Sequence, residues 1–172
     1  VALGQLLVVG VLRRIGPALC PAHPAGGAIE AVVIGVSTGG PNALAELLPQ
    51  IPAGFPVPIL IVQHMPPLFT KTLADRLSSL SSIPVREAVD GEMVQPGKAW
   101  VAPGNYHLAL ARDAAGVRIR LHQGPPENSC RPAVDVLFRS VVEVYGAHTL
   151  GVILTGMGQD GLRGCGYIKA AG

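Results

Sequence analysis

Apolar positions along this chain fall into short unbroken runs that alternate with helical stripes. Residues 31–36 (AVVIGV) and 57–63 (VPILIVQ) are continuous and rich in β-branched residues. Strands buried on both faces of a parallel sheet look like this. Each run leads into a stretch of helical period. Residues 42–48 carry Ala and Leu at that spacing behind Pro41, which the first turn of a helix accepts. Leu68, Leu73, Leu77 and Leu80 mark a second helical face. Val134, Leu137, Phe138, Val141 and Val142 mark a third, within residues 132–145. Residues 149–155 (TLGVILT) form another buried run, and a last helix is expected from Gly161.

The middle of the chain reads differently. Residues 84–89 are a strand candidate. Residues 99–102, 106–111 and 117–122 are short and partly alternating, with Pro103-Gly104-Asn105 and residues 113–116 as turns between them. They are expected to form antiparallel hairpins. The alternation of strands and helices elsewhere predicts βαβ units. The expected fold is therefore α/β: a doubly wound, mostly parallel sheet in a Rossmann-like three-layer αβα arrangement, with a small antiparallel hairpin insertion. Residues 1–28 read as a linker or remnant, broken by Pro17, Pro21, Pro24, Gly26 and Gly27. One domain is expected over 29–172. The chain opens on Val1 and stops at Gly172, where a parallel sheet normally continues. A piece of a longer protein, truncated at the domain's C-terminus, is expected.

Composition narrows the functions. Charged residues are 14% of the 172 and apolar residues 49%, so a sizeable core forms and a disordered chain is excluded. Aromatic residues are 4% and the net charge is +2, with Lys and Arg scattered. That offers nucleic acid neither a stacking platform nor a basic stripe. An acidic protein partner suits it. Cys20, Cys130 and Cys165 lie too far apart for a disulfide framework or a paired-cysteine zinc site. Cys130 and Cys165 have no expected role. A reducing, cytoplasmic setting follows by default. No apolar run reaches the ~20 residues of a membrane span, so no membrane insertion is expected.

Ligands of open parallel sheets bind beyond the carboxyl ends of the strands. Three such ends carry chemistry. Gly35-Val36-Ser37-Thr38-Gly39 places a serine in a G-x-S-x-G turn between a strand and a helix N-terminus. Such a turn lifts the hydroxyl above the sheet and gathers backbone N–H groups around it. The same turn also suits a phosphate cradle in which Ser37 only caps the helix. His64 ends the second run, and Asp160 follows the last one within TGMGQDG. A satisfied strand-end histidine and a helix-capping aspartate are the plain alternatives. Together the three residues supply a nucleophile, a base and an orienting carboxylate at one edge, as acyl transfer requires. Their order, Ser…His…Asp, differs from α/β-hydrolases, chymotrypsin-like proteases and subtilisins.

The segments GVSTGGPNAL (35–44), VQHMP (62–66), APGNYHL (102–108), RPAVDVLF (131–138) and LTGMGQDG (154–161) resemble the catalytic domain of chemotaxis protein-glutamate methylesterases of the CheB type. The resemblance covers roughly residues 30–172. It implies a triad of Ser37, His64 and Asp160 and an oxyanion-binding region around Thr38 and Met157. It also implies hydrolysis of glutamate methyl esters on the cytoplasmic helices of chemoreceptors, with deamidation of receptor glutamines as a second activity. No metal or organic cofactor is implied. Most members carry an inhibitory receiver domain under phosphorelay control. No receiver domain lies in this sequence, and residues 1–20 do not look like the usual linker. Arg131, in the PPENSCRPAVD region (125–135), is a candidate contact for acidic receptor residues, with a solvated surface charge as the competing reading. Two rivals remain in view: a phosphate-binding flavodoxin-like module built on 35–40, and a receptor-binding scaffold without turnover.

Overall fold

A computed structural model of the chain describes residues 28–156 and 158–172. The expected linker, apart from Ala28, and Met157 therefore lie outside the described residues. Among the described residues, seven strands and four α-helices follow one another. β1 is Ala31–Val36, α1 Gly40–Leu47, β2 Ile59–Gln63, α2 Pro67–Leu80, β3 Val85–Glu87 and β4 Ala99–Val101. Then come the β5 (His107–Asp113) and β6 (Gly116–His122) pair, α3 (Val134–Tyr145), β7 (Thr149–Ile153) and α4 (Leu162–Ala171).

The main sheet has five strands in the order β3-β4-β2-β1-β7. Every neighbouring pair in it is parallel. Alternate residues of its central strands feed two cores. Val32, Ile34, Ile59, Ile61, Ala99 and Val101 pack with α1 and α2 through Leu44, Leu73 and Leu77. Ala31, Val33, Leu60, Val62, Trp100 and Ala102 face the other way, onto Leu137, Phe138 and Val141 of α3. This two-sided burial is why the strands read as unbroken apolar runs. It yields the three layers of a doubly wound fold.

One expectation needs correction. Residues 99–102 were expected in a hairpin, yet β4 lies inside the parallel sheet, between β2 and β3. All three β4 residues are buried, so the strand belongs to both cores. The Pro103-Gly104-Asn105 turn only redirects the chain, and it pairs nothing across itself. β5 and β6 form the antiparallel insertion, in register from His107↔His122 to Asp113↔Gly116, and Met93 adds an antiparallel bridge to Arg118. Leu108, Leu110, Val117 and Ile119 seat it on α3.

The topology marks where a ligand belongs. From β1 the chain winds outward through β2, then returns to place β7 on the other side of β1. The order reverses between β1 and β7, and the crevice beyond their carboxyl ends is the switch point of such sheets.

Candidate active site

Ser37 is the first residue beyond β1. A left-handed Gly39 (φ 79°) closes the turn, a conformation that suits glycine. The Gly40 N–H donates to the Ser37 carbonyl (2.9 Å), and α1 begins there. The loop after β7 is stitched to this turn. Ser37 N–H donates to Thr155 O (2.9 Å), and Thr155 Oγ1 donates to Thr38 O (2.8 Å). A Cβ on Gly156 would lie 2.8 Å from the Ser37 Cβ, so only glycine lets the two loops meet this closely. Thr38 is exposed. Among the described residues its N–H donates to no acceptor.

His64 continues the β2 ladder by donating its N–H to Val36 O (3.1 Å). Its Nε2 lies 2.7 Å from Asp160 Oδ2, with side-chain exposures of 20% and 5%. Ser37, His64 and Asp160 line one cavity of about 80 Å³ with Gly35, Gly156 and Gly158. The sequence-predicted triad thus gathers at the switch point.

Asp160 is surrounded by donors. Oδ2 also accepts from Val134 N–H (2.7 Å). Oδ1 accepts from Asp135 N–H (3.1 Å) and Asn128 Nδ2 (3.2 Å). Burial by itself pushes this carboxyl up. The hydrogen bonds from His64, Val134, Asp135 and Asn128 outweigh burial and hold it below the usual aspartate value. A carboxylate facing the ring accepts from Nε2–H, and in the neutral ring Nδ1 then carries the lone pair. The protease arrangement, where the carboxylate takes Nδ1, is reversed here.

Sequence reasoning missed three residues that hold this arrangement. Gln63 is 2% exposed. Its Nε2 donates to both Ser37 O (3.0 Å) and His64 O (3.1 Å), tying the two turns together. Asp135 is 1% exposed. Its Oδ1 accepts from Gly161 and Gly164 N–H (3.0 and 2.7 Å), which fixes the start of α4. Its Oδ2 accepts from Asn128 Nδ2 (2.9 Å), the same amide that reaches Asp160. Asn128 therefore separates two carboxylates with one NH2 group. The available signal was a polar residue at the end of an apolar run (Gln63) and an acid in the first turn of an apolar helix (Asp135).

Asn128→Ala removes that donor. A hydrogen bond to a charged group contributes about 1.5–3 kcal/mol, so kcat should fall roughly tenfold or more with KM little changed. Losing the donor raises the Asp160 carboxyl. A thermal midpoint measured beside kcat separates this loss of rate from simple loss of folded protein.

The loop carrying Asn128 is anchored by His107, which is 1% exposed. Its Nδ1 accepts from Ala133 N–H (3.2 Å) and its Nε2 donates to Pro125 O (3.1 Å). Burial lowers its pKa, assisted by His122 and Arg131. A depressed histidine gives stability that is complete above its unfolded value, near 6.5, and is lost as pH falls through the folded value. The thermal midpoint should drop between pH 7 and pH 5. In His107→Gln, whose amide supplies both bonds without titrating, that drop should shrink. The Asp160 contribution runs the same way but in a lower window, at and below about pH 4.

Arg131 faces an open cleft beside the cavity, lined also by His64, Met65, Pro67 and Asn105. Its guanidinium bonds Asn105 Oδ1 (3.0 and 2.6 Å) and the carbonyls of Gln123 and Gly124 (3.3 and 3.0 Å). Among the described residues no carboxylate pairs with it, so its charge stays uncompensated. Cys130 lies on the same loop, with its Sγ 3.8 Å from His64 Nδ1. Cys165 packs beside the α3 core.

Known proteins share this fold and much of this sequence. The CheB methylesterase family matches residues 32–172. A protein-glutamate methylesterase/protein-glutamine glutaminase of Trichodesmium erythraeum is 62% identical over 144 residues, 84% of this chain and 41% of the relative. The one of Archaeoglobus fulgidus is 51% identical over 141 residues, 82% of this chain and 40% of the relative. The crystal structure of the Thermotoga maritima CheB methylesterase catalytic domain superposes with a TM-score of 0.82 at 47% identity, covering 85% of this chain and 77% of that one. The chain spans about two fifths of the length of these curated relatives. A match running from β1 through α4, on a fold whose switch point gathers a serine, a histidine and an aspartate, settles the kinship: this chain belongs to the CheB methylesterase family.

Proposed function

We propose that this chain is a serine hydrolase that removes methyl esters from glutamate side chains of chemoreceptors, and deamidates receptor glutamines, in chemotaxis adaptation. The observation that carries the reading is the His64–Asp160 pair (2.7 Å) lining one cavity with Ser37.

His64 Nδ1 takes the Ser37 proton as Oγ attacks the ester carbonyl carbon. Asp160 holds Nε2–H and stabilises the imidazolium that forms. The tetrahedral oxyanion is received by the backbone N–H of Thr38, close to the positive end of α1, with Met157 as the second donor that the family resemblance implies. Each such donor is worth about 3–4 kcal/mol of transition-state stabilisation. The imidazolium proton passes to the departing methoxide, and methanol leaves. Water, deprotonated by His64, then cleaves the acyl-enzyme and restores glutamate. With glutamine, ammonia departs instead. The chemistry needs no metal or organic cofactor.

A receptor helix presenting the ester must approach the open cleft beside the cavity. Arg131, without a carboxylate partner, gives that cleft a positive charge suited to acidic receptor residues. In the longer protein a receiver domain is the proposed phosphorylation-dependent regulator. A cytoplasmic location goes with that substrate. Among the described residues no helix is long and apolar enough to cross a membrane.

The substrate class is tested with methylated and unmethylated cytoplasmic fragments of a chemoreceptor. The chain should release methanol from the first and ammonia from receptor glutamines, each with the matching mass change in the fragment. Phosphate binding at 35–40 with neither product would favour the anion-cradle reading instead.

A further inference from the structure

We propose that His64 and Cys130 form a binding site for a thiophilic divalent cation, with Zn²⁺ as its type, and that occupancy switches the hydrolase off. The site rests on the proposed role of His64 as the base, and it uses the nitrogen that Asp160 leaves free.

Three ligand-type side chains converge here. One ligating atom each from His64, Cys130 and Asp160 lies within 4.8 Å of the others. The Cys130 Sγ to His64 Nδ1 separation is 3.8 Å. Zinc bonds of about 2.0–2.1 Å to nitrogen and 2.3 Å to sulfur, at a tetrahedral angle, put N and S roughly 3.6 Å apart. The two atoms therefore already stand at nearly the edge length of a zinc tetrahedron.

The surroundings match as well. A metal-bound histidine normally donates its other ring N–H to a carboxylate, which fixes the tautomer and strengthens the ligand. Asp160 already performs that service at Nε2 (2.7 Å). Its remaining lone pairs are taken by Val134, Asp135 and Asn128, so it serves as orienter and leaves direct ligation to the other two. Cys130 is held in place by paired backbone bonds to Glu127 (3.2 and 2.8 Å). Glu127 is in turn pinned by Arg139 (2.7 Å). The thiol is half-buried and borders the open cleft with His64, which gives the ion and its water ligands access.

Two protein ligands leave two tetrahedral positions to water, so binding is reversible and weaker than at a closed four-ligand site. On binding, the Cys130 S–H bond breaks, its proton goes to solvent, and S–Zn and Nδ1–Zn bonds form. The Nδ1 lone pair that accepts the Ser37 proton is then occupied.

Two measurements test the site. Cobalt(II) is added to the apo chain and the thiolate-to-cobalt charge-transfer absorption is recorded. The band should appear in the parent and vanish in Cys130→Ser. Methanol release is then titrated with Zn²⁺ and restored with EDTA. With each protein read against its own metal-free rate, the half-inhibiting Zn²⁺ concentration of Cys130→Ser should lie about tenfold or more above the parent's. No charge-transfer band in the parent, or equal Zn²⁺ sensitivity in parent and Cys130→Ser, would overturn the proposal. The spectroscopic arm needs no turnover, so failure of the hydrolase reading would show separately, as absence of methanol from metal-free parent.

Discussion

Asp160→Asn should lower kcat about 10⁴-fold, the scale seen when a triad carboxylate becomes an amide and the histidine tautomer is lost. Here the geometry makes the exchange especially unfavourable. Every group facing the Asp160 side chain is a donor: His64 Nε2 and Val134 N–H at Oδ2, Asp135 N–H and Asn128 Nδ2 at Oδ1. An asparagine must turn its own NH2 toward one of those pairs. If it faces Oδ1's partners, the Asp135 N–H loses its acceptor. If it faces Oδ2's partners, His64 is driven to the Nδ1–H tautomer and its base position is filled. Either arrangement leaves buried donors unsatisfied at a cost of about 1–3 kcal/mol each. The variant should therefore melt several degrees below the parent as well as turning over slowly. An unchanged kcat in Asp160→Asn would remove the carboxylate from the mechanism.

Ser37→Ala should show the larger kinetic loss, about 10⁶-fold in kcat if the serine is the nucleophile. The effect on stability should be small. Ser37 is anchored through its backbone, by its N–H to Thr155 O and its carbonyl to Gly40 N–H and Gln63 Nε2. Alanine keeps all of these and adds nothing against Gly156. A thermal midpoint within about 2 °C of the parent, combined with loss of turnover, is the expected pair of results. Substantial turnover in Ser37→Ala would point to a bound water attacking directly.

Much of this was legible in the sequence because the signals were strong and local. The 31–36 and 57–63 runs are apolar without a break since both faces of β1 and β2 are covered. Once those strands are parallel neighbours, Ser37 and His64 must share an edge. β7 adds Asp160 by the same logic. The misplacement of 99–102 has a physical cause. A strand three residues long shows too little pattern to separate parallel from antiparallel pairing, and a Pro-Gly-Asn turn marks a change of direction without naming the partner strand. Cys130 was unreadable for another reason. It sits 66 positions from His64 in the chain, and only the loop anchored by His107, Arg131 and Glu127 brings its sulfur to the imidazole. Asn128 and Asp135 depend likewise on where single side-chain atoms point. Arg131 was singled out for its charge, and the structure adds that much of its hydrogen bonding is already spent on Asn105 and two carbonyls.

The central claim is that Ser37 Oγ is a nucleophile activated by His64. It is tested most directly by treating the chain with a fluorophosphonate ester and reading the mass of the peptide that carries Ser37. The account predicts one phosphonyl group per chain, located on Ser37, with labelling slowed by methylated receptor fragment and lost in His64→Gln. An unlabelled Ser37 in protein that still releases methanol, or labelling that ignores the His64 substitution, would contradict it.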